Sequence, residues 1–236
     1  VMGAVEVING FGKSIGLMQV EELGTIETPL ILTNTLNVGI AADGLVAFML
    51  DENPEIGLST GTVNPLVFEC NDGYLNRIRE RRLTEAHVRE AIRKATQTRE
   101  VILEGAVGAG TGMSAYHFKG GIGTASRIME LDESYVLGAL VLTNFGKRKD
   151  LMIQGQPVGI RVTELEAQGS MHCEVKGPEK GSVIVILGTD LPLSERQLKR
   201  IARRSVIGLS RTGSYLGNGS GDVVLAFSTA NQTLHF

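Results

Sequence analysis

Short apolar runs bounded by turn residues dominate the pattern along the chain. Residues 182–188 (SVIVILG) and 222–228 (DVVLAFS) are nearly continuous apolar stretches, which predicts strands. Residues 99–107, 134–143 and 158–163 read as further strands, and Gly188-Thr189-Asp190 as a strand exit. Residues 29–40 and 44–50 are apolar runs broken by turn residues and read as a hairpin about Ala42, Asp43 and Gly44. Two segments carry the helical period instead. Between Thr84 and Thr96, Val88, Ala91, Ile92 and Ala95 share a stripe, with Arg89, Glu90, Arg93 and Lys94 largely off it. Ser194 and Gln197 stand at capping-box spacing ahead of Leu198, Ile201, Ala202, Ser205 and Leu209. Lys199, Arg200, Arg203 and Arg204 flank that stripe and read as a solvated basic face. A third, short helix is expected from Asp72-Gly73 through Arg81. No internal repeat or Pro/Ser-rich linker divides the chain, so 1–236 reads as a single domain. Many strands with few long helices predict an α+β, layered αββα arrangement.

Composition sharpens this picture at one point. Thirty glycines among 236 residues are about 13%, against an average near 7%, which points to tight turns and close backbone approaches. Tryptophan is absent and aromatics are 5%, so the core must be aliphatic. A net charge of −3 leaves no electrostatic footprint for nucleic acid and no basic block for a membrane surface. The longest apolar runs, such as Val136–Leu142, fall far short of the roughly 20 residues of a spanning helix. Cytoplasmic location is the default expectation. Val1 is not an initiator, and the sequence reads as a fragment of a slightly longer chain.

Most chemical motifs fail on spacing. Gly105–Gly112 (GAVGAGTG) contains Gly108-x-Gly110, but the third glycine of a dinucleotide loop would fall at Met113. Gly12-Lys13-Ser14 ends like a phosphate loop, yet Val7 stands where its first glycine belongs. Gly12–Gly16 fits Gly-x-Ser-x-Gly, but a helix after it is soon interrupted at Glu21–Gly24, so a plain turn is the better reading. His87, His117, His172 and His235 lie far apart, and neither Cys70 nor Cys173 has metal-ligand company beyond the adjacent His172. No metal and no cofactor is expected. Two cysteines make neither a disulfide scaffold nor a four-thiolate zinc site.

The informative stretch is Lys180–Asp190. A charged approach over 175–180 meets Gly181-Ser182 at the head of an apolar strand. Spacing alone reads this as a loop-to-strand boundary. Chemically it is also what a self-processing nucleophile needs: breaking Gly181–Ser182 would give Ser182 a free α-amine with pKa near 7.7–8.0, able to act as base for its own hydroxyl. A second polar turn, Gly217-Asn218-Gly219-Ser220-Gly221-Asp222, opens the next apolar strand.

These two stretches, GSVIVILGTDLPLSERQLKRIARR and RTGSYLGNGSGDVVLAFSTAN, closely resemble the L-aminopeptidase/D-esterase-amidase family, which includes the β-peptidyl aminopeptidases. LTNT (32–35), ECNDGYLN (69–76), GAVGAGTGM (105–113), FKGGIGTASR (118–127) and VLTNFG (141–146) agree in order, so the resemblance runs from about residue 20 to the end. It implies an αββα sandwich related to N-terminal-nucleophile hydrolases but with distinct connectivity, and self-cleavage between Gly181 and Ser182. It further implies that Ser182 is the nucleophile, Ser220 and Asp222 its flanking hydroxyl and carboxylate, and Asn144 the oxyanion-hole amide. Glu69 lies in the segment that helps bind the substrate's free amine. Several members carry an aromatic at Asn71, so the substrate pocket here differs in shape and polarity. The implied substrates are peptides or amino-acid amides and esters, and the implied assembly is a tetramer of two-subunit units. The family usually extends beyond both ends of this chain. An acyltransferase of the ornithine-acetyltransferase type and a catalytically inactive homologue remain alternatives; Ser182, where that transferase branch has threonine, argues against the first.

Overall fold

The computed structural model describes residues 1–97, 101–168 and 181–232. In its N-terminal half, β1 (Met2–Gly10), α1 (Leu17–Leu23), β2 (Leu30–Asn34), α2 (Val38–Glu52), β3 (Leu66–Cys70) and α3 (Glu85–Gln97) follow in order. The short pair β4 (Ser114–Ala115) and β5 (Phe118–Lys119) precedes the long strands β6 (Gly121–Glu130) and β7 (Ser134–Asn144), then α4 (Val158–Gln168). The last part is β8 (Ser182–Thr189), α5 (Glu195–Arg203), α6 (Ser205–Arg211) and β9 (Gly221–Ser228).

Five strands form one sheet in the order β1-β9-β8-β7-β6, and β2 and β3 pair in parallel as a second layer. Strands β8 and β9 are parallel, which requires a crossover; α5 and α6 supply it. The apolar run of β8 is continuous because both of its faces are covered. Ile184 packs with Val223, Leu225 and Leu142 against Leu66 and Phe68 of the β2–β3 layer. Val183 and Val185 pack with Val224 and Ala226 against Leu198, Ala202 and Leu209 of α5 and α6. A third cluster joins Val67 to Ala41 and Leu45 of α2 and to Val88 and Ile92 of α3. The layers therefore run helices, small sheet, large sheet, helices: an α+β αββα sandwich.

Strands β7, β8 and β9 and helix α3 match their patterns within a residue or two. Ser194 caps α5 as its spacing predicts, accepting from the Gln197 N–H while the Gln197 side chain receives the Ser194 N–H. The expected stripe continues past it, but the helix breaks at Arg204 into α5 and α6. Lys199 pairs with Glu21 and Arg203 with Glu6 at 3.0 Å, and the rest of the basic cluster faces solvent.

Three strand expectations fail. Residues 38–52 are helix α2, with no hairpin at Asp43: Val38, Ala41, Ala42 and Leu45 make a helical stripe, and Gly44 lets Val88 of α3 come close. Residues 158–163 open helix α4, where Pro157 supplies a starting residue and Gly159 lies flush against the turn at Arg148–Leu151. Within 99–107, residues 99 and 100 lie outside the described residues, and Val101, Ile102 and Leu103 are exposed; only Gly105 bridges to Ile122. The helix expected through Arg81 shrinks to one 3-10 turn, Ile78–Glu80. The charged approach 175–180, His172, Cys173 and His235 fall outside the described residues.

Candidate active site

Strand pairing sets the site. In the sheet register Ser182 stands beside Asn144 of β7 on one side and Gly221 of β9 on the other, with Val183 beside Asp222. Ser182 shares the face of Ile184 and Asn144 that of Leu142, so both point toward the β2–β3 layer, where Glu69 is the last residue but one of β3. Ser182, Ser220, Asp222 and Glu69 are all buried.

The Gly181 carbonyl receives two hydrogen bonds, 3.0 Å from the Gly221 N–H and 2.7 Å from Ser182 Oγ. Its carbon is thus both polarised and adjacent to the hydroxyl. A Cβ at Gly181 would fall 2.5 Å from the Asn144 carbonyl oxygen and 2.8 Å from Phe145 Cα, so only glycine sits here undisturbed. Asp222 Oδ1 accepts from Ser220 Oγ at 2.6 Å and from the Val183 N–H at 3.2 Å; Oδ2 accepts from Asn9 Nδ2 at 2.8 Å. Burial pushes the Asp222 carboxyl above the usual aspartate range, and those three donors pull against the shift.

Glu69 is reached through glycine. Its Oε1 accepts from the Lys13 N–H at 2.6 Å and its Oε2 from the Thr35 hydroxyl. Gly12, just before Lys13, presses on Gly221: a Cβ on Gly221 would lie 2.6 Å from Gly12 N and Cα and 3.2 Å from Ser182 Oγ. The carboxylate and the serine hydroxyl therefore flank one glycine–glycine contact. Asn144 Oδ1 accepts from the Ser114 N–H at 3.0 Å, and its Nδ2 donates to the Asn71 carbonyl at 2.8 Å. Asn71 meets the site through that carbonyl; its exposed side chain turns back onto the Gly73 N–H. Cys70, next to Glu69, is a buried bystander: burial, then the Glu69 and Asp222 charges, push its thiol well above the usual range. Among the described residues no three His, Cys, Asp or Glu side chains gather to hold a metal ion.

The profile of peptidase family S58 matches residues 1–235. The chain belongs to that family. It is 38% identical over 237 aligned residues to the β-peptidyl aminopeptidase BapA of Sphingosinicella microcystinivorans, covering 97% of this chain and 58% of that protein. Among solved structures it resembles the PH0078 protein of Pyrococcus horikoshii OT3, with TM-score 0.89, 54% identity, and coverage of 100% of this chain and 63% of the other. It also resembles the L-aminopeptidase D-Ala-esterase/amidase of Ochrobactrum anthropi, described as a prototype for the serine aminopeptidases and a new variant among the Ntn hydrolase fold. There the TM-score is 0.87 and the identity 40%, over 98% of this chain and 61% of that one. The chain spans less than two thirds of the length of the curated relatives it matches. The S58 assignment and these likenesses fix the fold as an Ntn-hydrolase variant.

Within this S58 fold, three contributors escaped the sequence reading. Gly12 was visible only as part of a turn, although GFGKSIG contains the close-approach glycine. Gly221 sits inside the polar GNGSGD turn and acts through its N–H. Asn9, at the end of β1, carried no signal, because its value depends on a pairing more than two hundred residues away.

Proposed function

We propose that this S58 chain is part of a self-processing N-terminal-serine aminopeptidase/amidase, carried on one αββα domain over 1–236. The observation that carries the reading is the Gly181 carbonyl, held by the Gly221 N–H at 3.0 Å with Ser182 Oγ beside it. In the processing step Ser182 Oγ bonds to the Gly181 carbon and the C–N bond to Ser182 breaks. The hydroxyl proton passes to the freed α-amine, and water then splits the ester to regenerate the hydroxyl and leave a Gly181 carboxylate. In turnover the α-amine takes the Oγ proton as Ser182 attacks the substrate carbonyl, and the leaving amine departs protonated. Water releases the acyl group. The Gly221 N–H and Asn144 are the candidate oxyanion donors, Ser220 and Asp222 orient the amine and hydroxyl, and Glu69 receives the substrate's ammonium.

The relatives' names support substrates with a free N-terminal amino group: β-peptides, L-aminoacyl peptides or amides, and D-alanyl esters or amides. A homo-oligomer, a tetramer of two-subunit units, belongs to the same reading. Exposed Ile128, Leu131 and Val136 near the β6–β7 turn, and Val101 to Leu103, supply apolar surface for it. Size exclusion returning the mass of one unit at micromolar concentration overturns that assembly. No helix among the described residues is long and apolar enough to cross a membrane. A cytoplasmic location belongs to the same reading.

Denaturing electrophoresis with N-terminal sequencing tests the processing claim: the active protein contains a chain that begins at Ser182. An active enzyme uncut at Gly181–Ser182 overturns it. Removing one oxyanion donor typically costs about 10²–10³ in kcat. Asn144→Ala is therefore expected to lose that much on an aminoacyl p-nitroanilide while staying folded, its melting temperature lowered only by the freed Ser114 N–H and Asn71 carbonyl. Unchanged turnover removes Asn144 from the site.

A further inference from the structure

We infer that Asn9 is a positioning residue for Asp222, aimed by a β-bulge at the end of β1, an assignment that rests on the aminopeptidase reading above. Up to Val7 the β1–β9 register pairs Val7 with Val223; it then shifts by one, so that Asn9 pairs with Asp222 and Gly10 with Gly221. Without that extra residue Ile8 would stand opposite Asp222, and Asn9 opposite a glycine. The shift delivers the one carboxamide on β1 to the one carboxylate on β9.

Three acceptors then converge on Asn9 Nδ2: Asp222 Oδ2 at 2.8 Å, the Leu216 carbonyl at 3.0 Å and the Gly217 carbonyl at 3.4 Å. The last two belong to the turn that leads into Ser220. Leu216 takes φ +52° there, a left-handed conformation that a leucine holds only when its surroundings fix it. The Ser220 N–H closes the same turn by donating to the Gly217 carbonyl at 2.9 Å. One side chain thus fastens both the carboxylate and the turn that carries its hydroxyl partner. An amide suits this place because all three partners are acceptors. Aspartate would set charge against charge.

Few other charges bear on Asp222. From β3 the Cys70 thiol interacts with it electrostatically, with Glu69 next along the strand. On β1, Glu6 is engaged by Arg203 of α5. On β8 the α-amine released on Ser182 by cleavage would add a titratable group. Loss of the Asn9 donor removes more stabilisation from the ionised carboxylate than from the neutral acid, so the Asp222 midpoint is expected to rise.

The test uses the full chain with Asn9→Leu, similar in size, and Asn9→Ala, which adds no bulk. ¹³C-carboxylate NMR is expected to show the Asp222 midpoint raised by about one pH unit in both. The acidic limb of the kcat/KM profile follows it upward, and kcat falls at least about 10-fold with KM changed little. An unmoved Asp222 titration in either soluble variant overturns the assignment, as does a loss of activity that follows the melting temperature while the pH profile stays in place. The titration needs no turnover, so it judges Asn9 separately from the aminopeptidase reading: an inert wild type with a shifted Asp222 in the variants overturns only the latter.

Discussion

Ser182→Ala yields a folded chain that stays uncut after Gly181 and has no activity on any aminoacyl substrate. The substitution removes one oxygen from a buried position whose β-carbon stays in place, and among the described residues Oγ hydrogen-bonds only to the neighbouring Gly181 carbonyl. The strand pairing of residue 182 with Asn144 and Gly221 is backbone and survives. Stability should therefore change by no more than about 1 kcal/mol. Turnover has no such reserve. Removing the nucleophile from a comparable hydrolytic site costs roughly 10⁶ in kcat. In the proposed mechanism the same atom also drives the cut that would free the α-amine, so both functions go together. Mass spectrometry of the intact variant, its melting curve and a p-nitroanilide assay read the three parts separately. Residual cleavage at Gly181 in this variant assigns processing to another group and sinks the acyl-shift mechanism.

Gly221→Ala is expected to damage the site through a single added methyl. Its Cβ would arrive 2.6 Å from Gly12 N and Cα and 3.2 Å from Ser182 Oγ, and the nearest atoms are backbone. Neither β9 nor the Gly12 turn can yield alone, because Gly10 is paired with Gly221 and the Lys13 N–H holds Glu69. Overpacking of this kind costs about 1–3 kcal/mol. The larger consequence is geometric. Parting Gly12 from Gly221 moves the N–H that polarises the Gly181 carbonyl and shifts Glu69 away from Ser182 at the same time. We expect slow or absent processing and kcat lowered by at least about 10²-fold, the worth of one displaced oxyanion donor. Rapid cleavage and wild-type turnover in Gly221→Ala would show that the contact is incidental.

Elements defined by an unbroken period were legible in the sequence, and those defined by context were not. The aliphatic runs of β8 and β9 read as strands because both faces are buried, and α3 and α5 read as helices because their polar and apolar faces are sharply divided. Helix α2 lacks that division: Val38 to Leu50 is apolar almost all round, with Asp43-Gly44 in its middle, which is also how two strands and a turn look. Helix α4 starts in the β-branched VGIRVT, whose local preference lost to packing against Arg148–Leu151. For the site, the residues reached through family resemblance fall together in space: Asn144, Ser182 and Asp222 lie on adjacent strands at one end of the sheet, with Ser220 in the turn just before β9. Their convergence follows from the β7–β8–β9 register, which no motif encodes. Asn71 gives its backbone carbonyl to Asn144, a contact invisible to any reading of residue type.

The crossover that makes β8 and β9 parallel would govern how a molecule cut before Ser182 comes apart. Cutting before Ser182 leaves the piece that begins there with two central strands, flanked by β7 on one side and β1 on the other, both belonging to the other piece. The severed halves then hold each other like an interlaced pair, and neither keeps a finished sheet alone. Unfolding becomes a dissociation, and regaining the native state becomes a bimolecular encounter whose rate depends on dilution. Melted before the cut, the chain has a route back; melted after it, recovery depends on two partners meeting again. Such a cut would act as a ratchet, exchanging a fold that can re-form from one chain for one whose persistence rests on how slowly it opens.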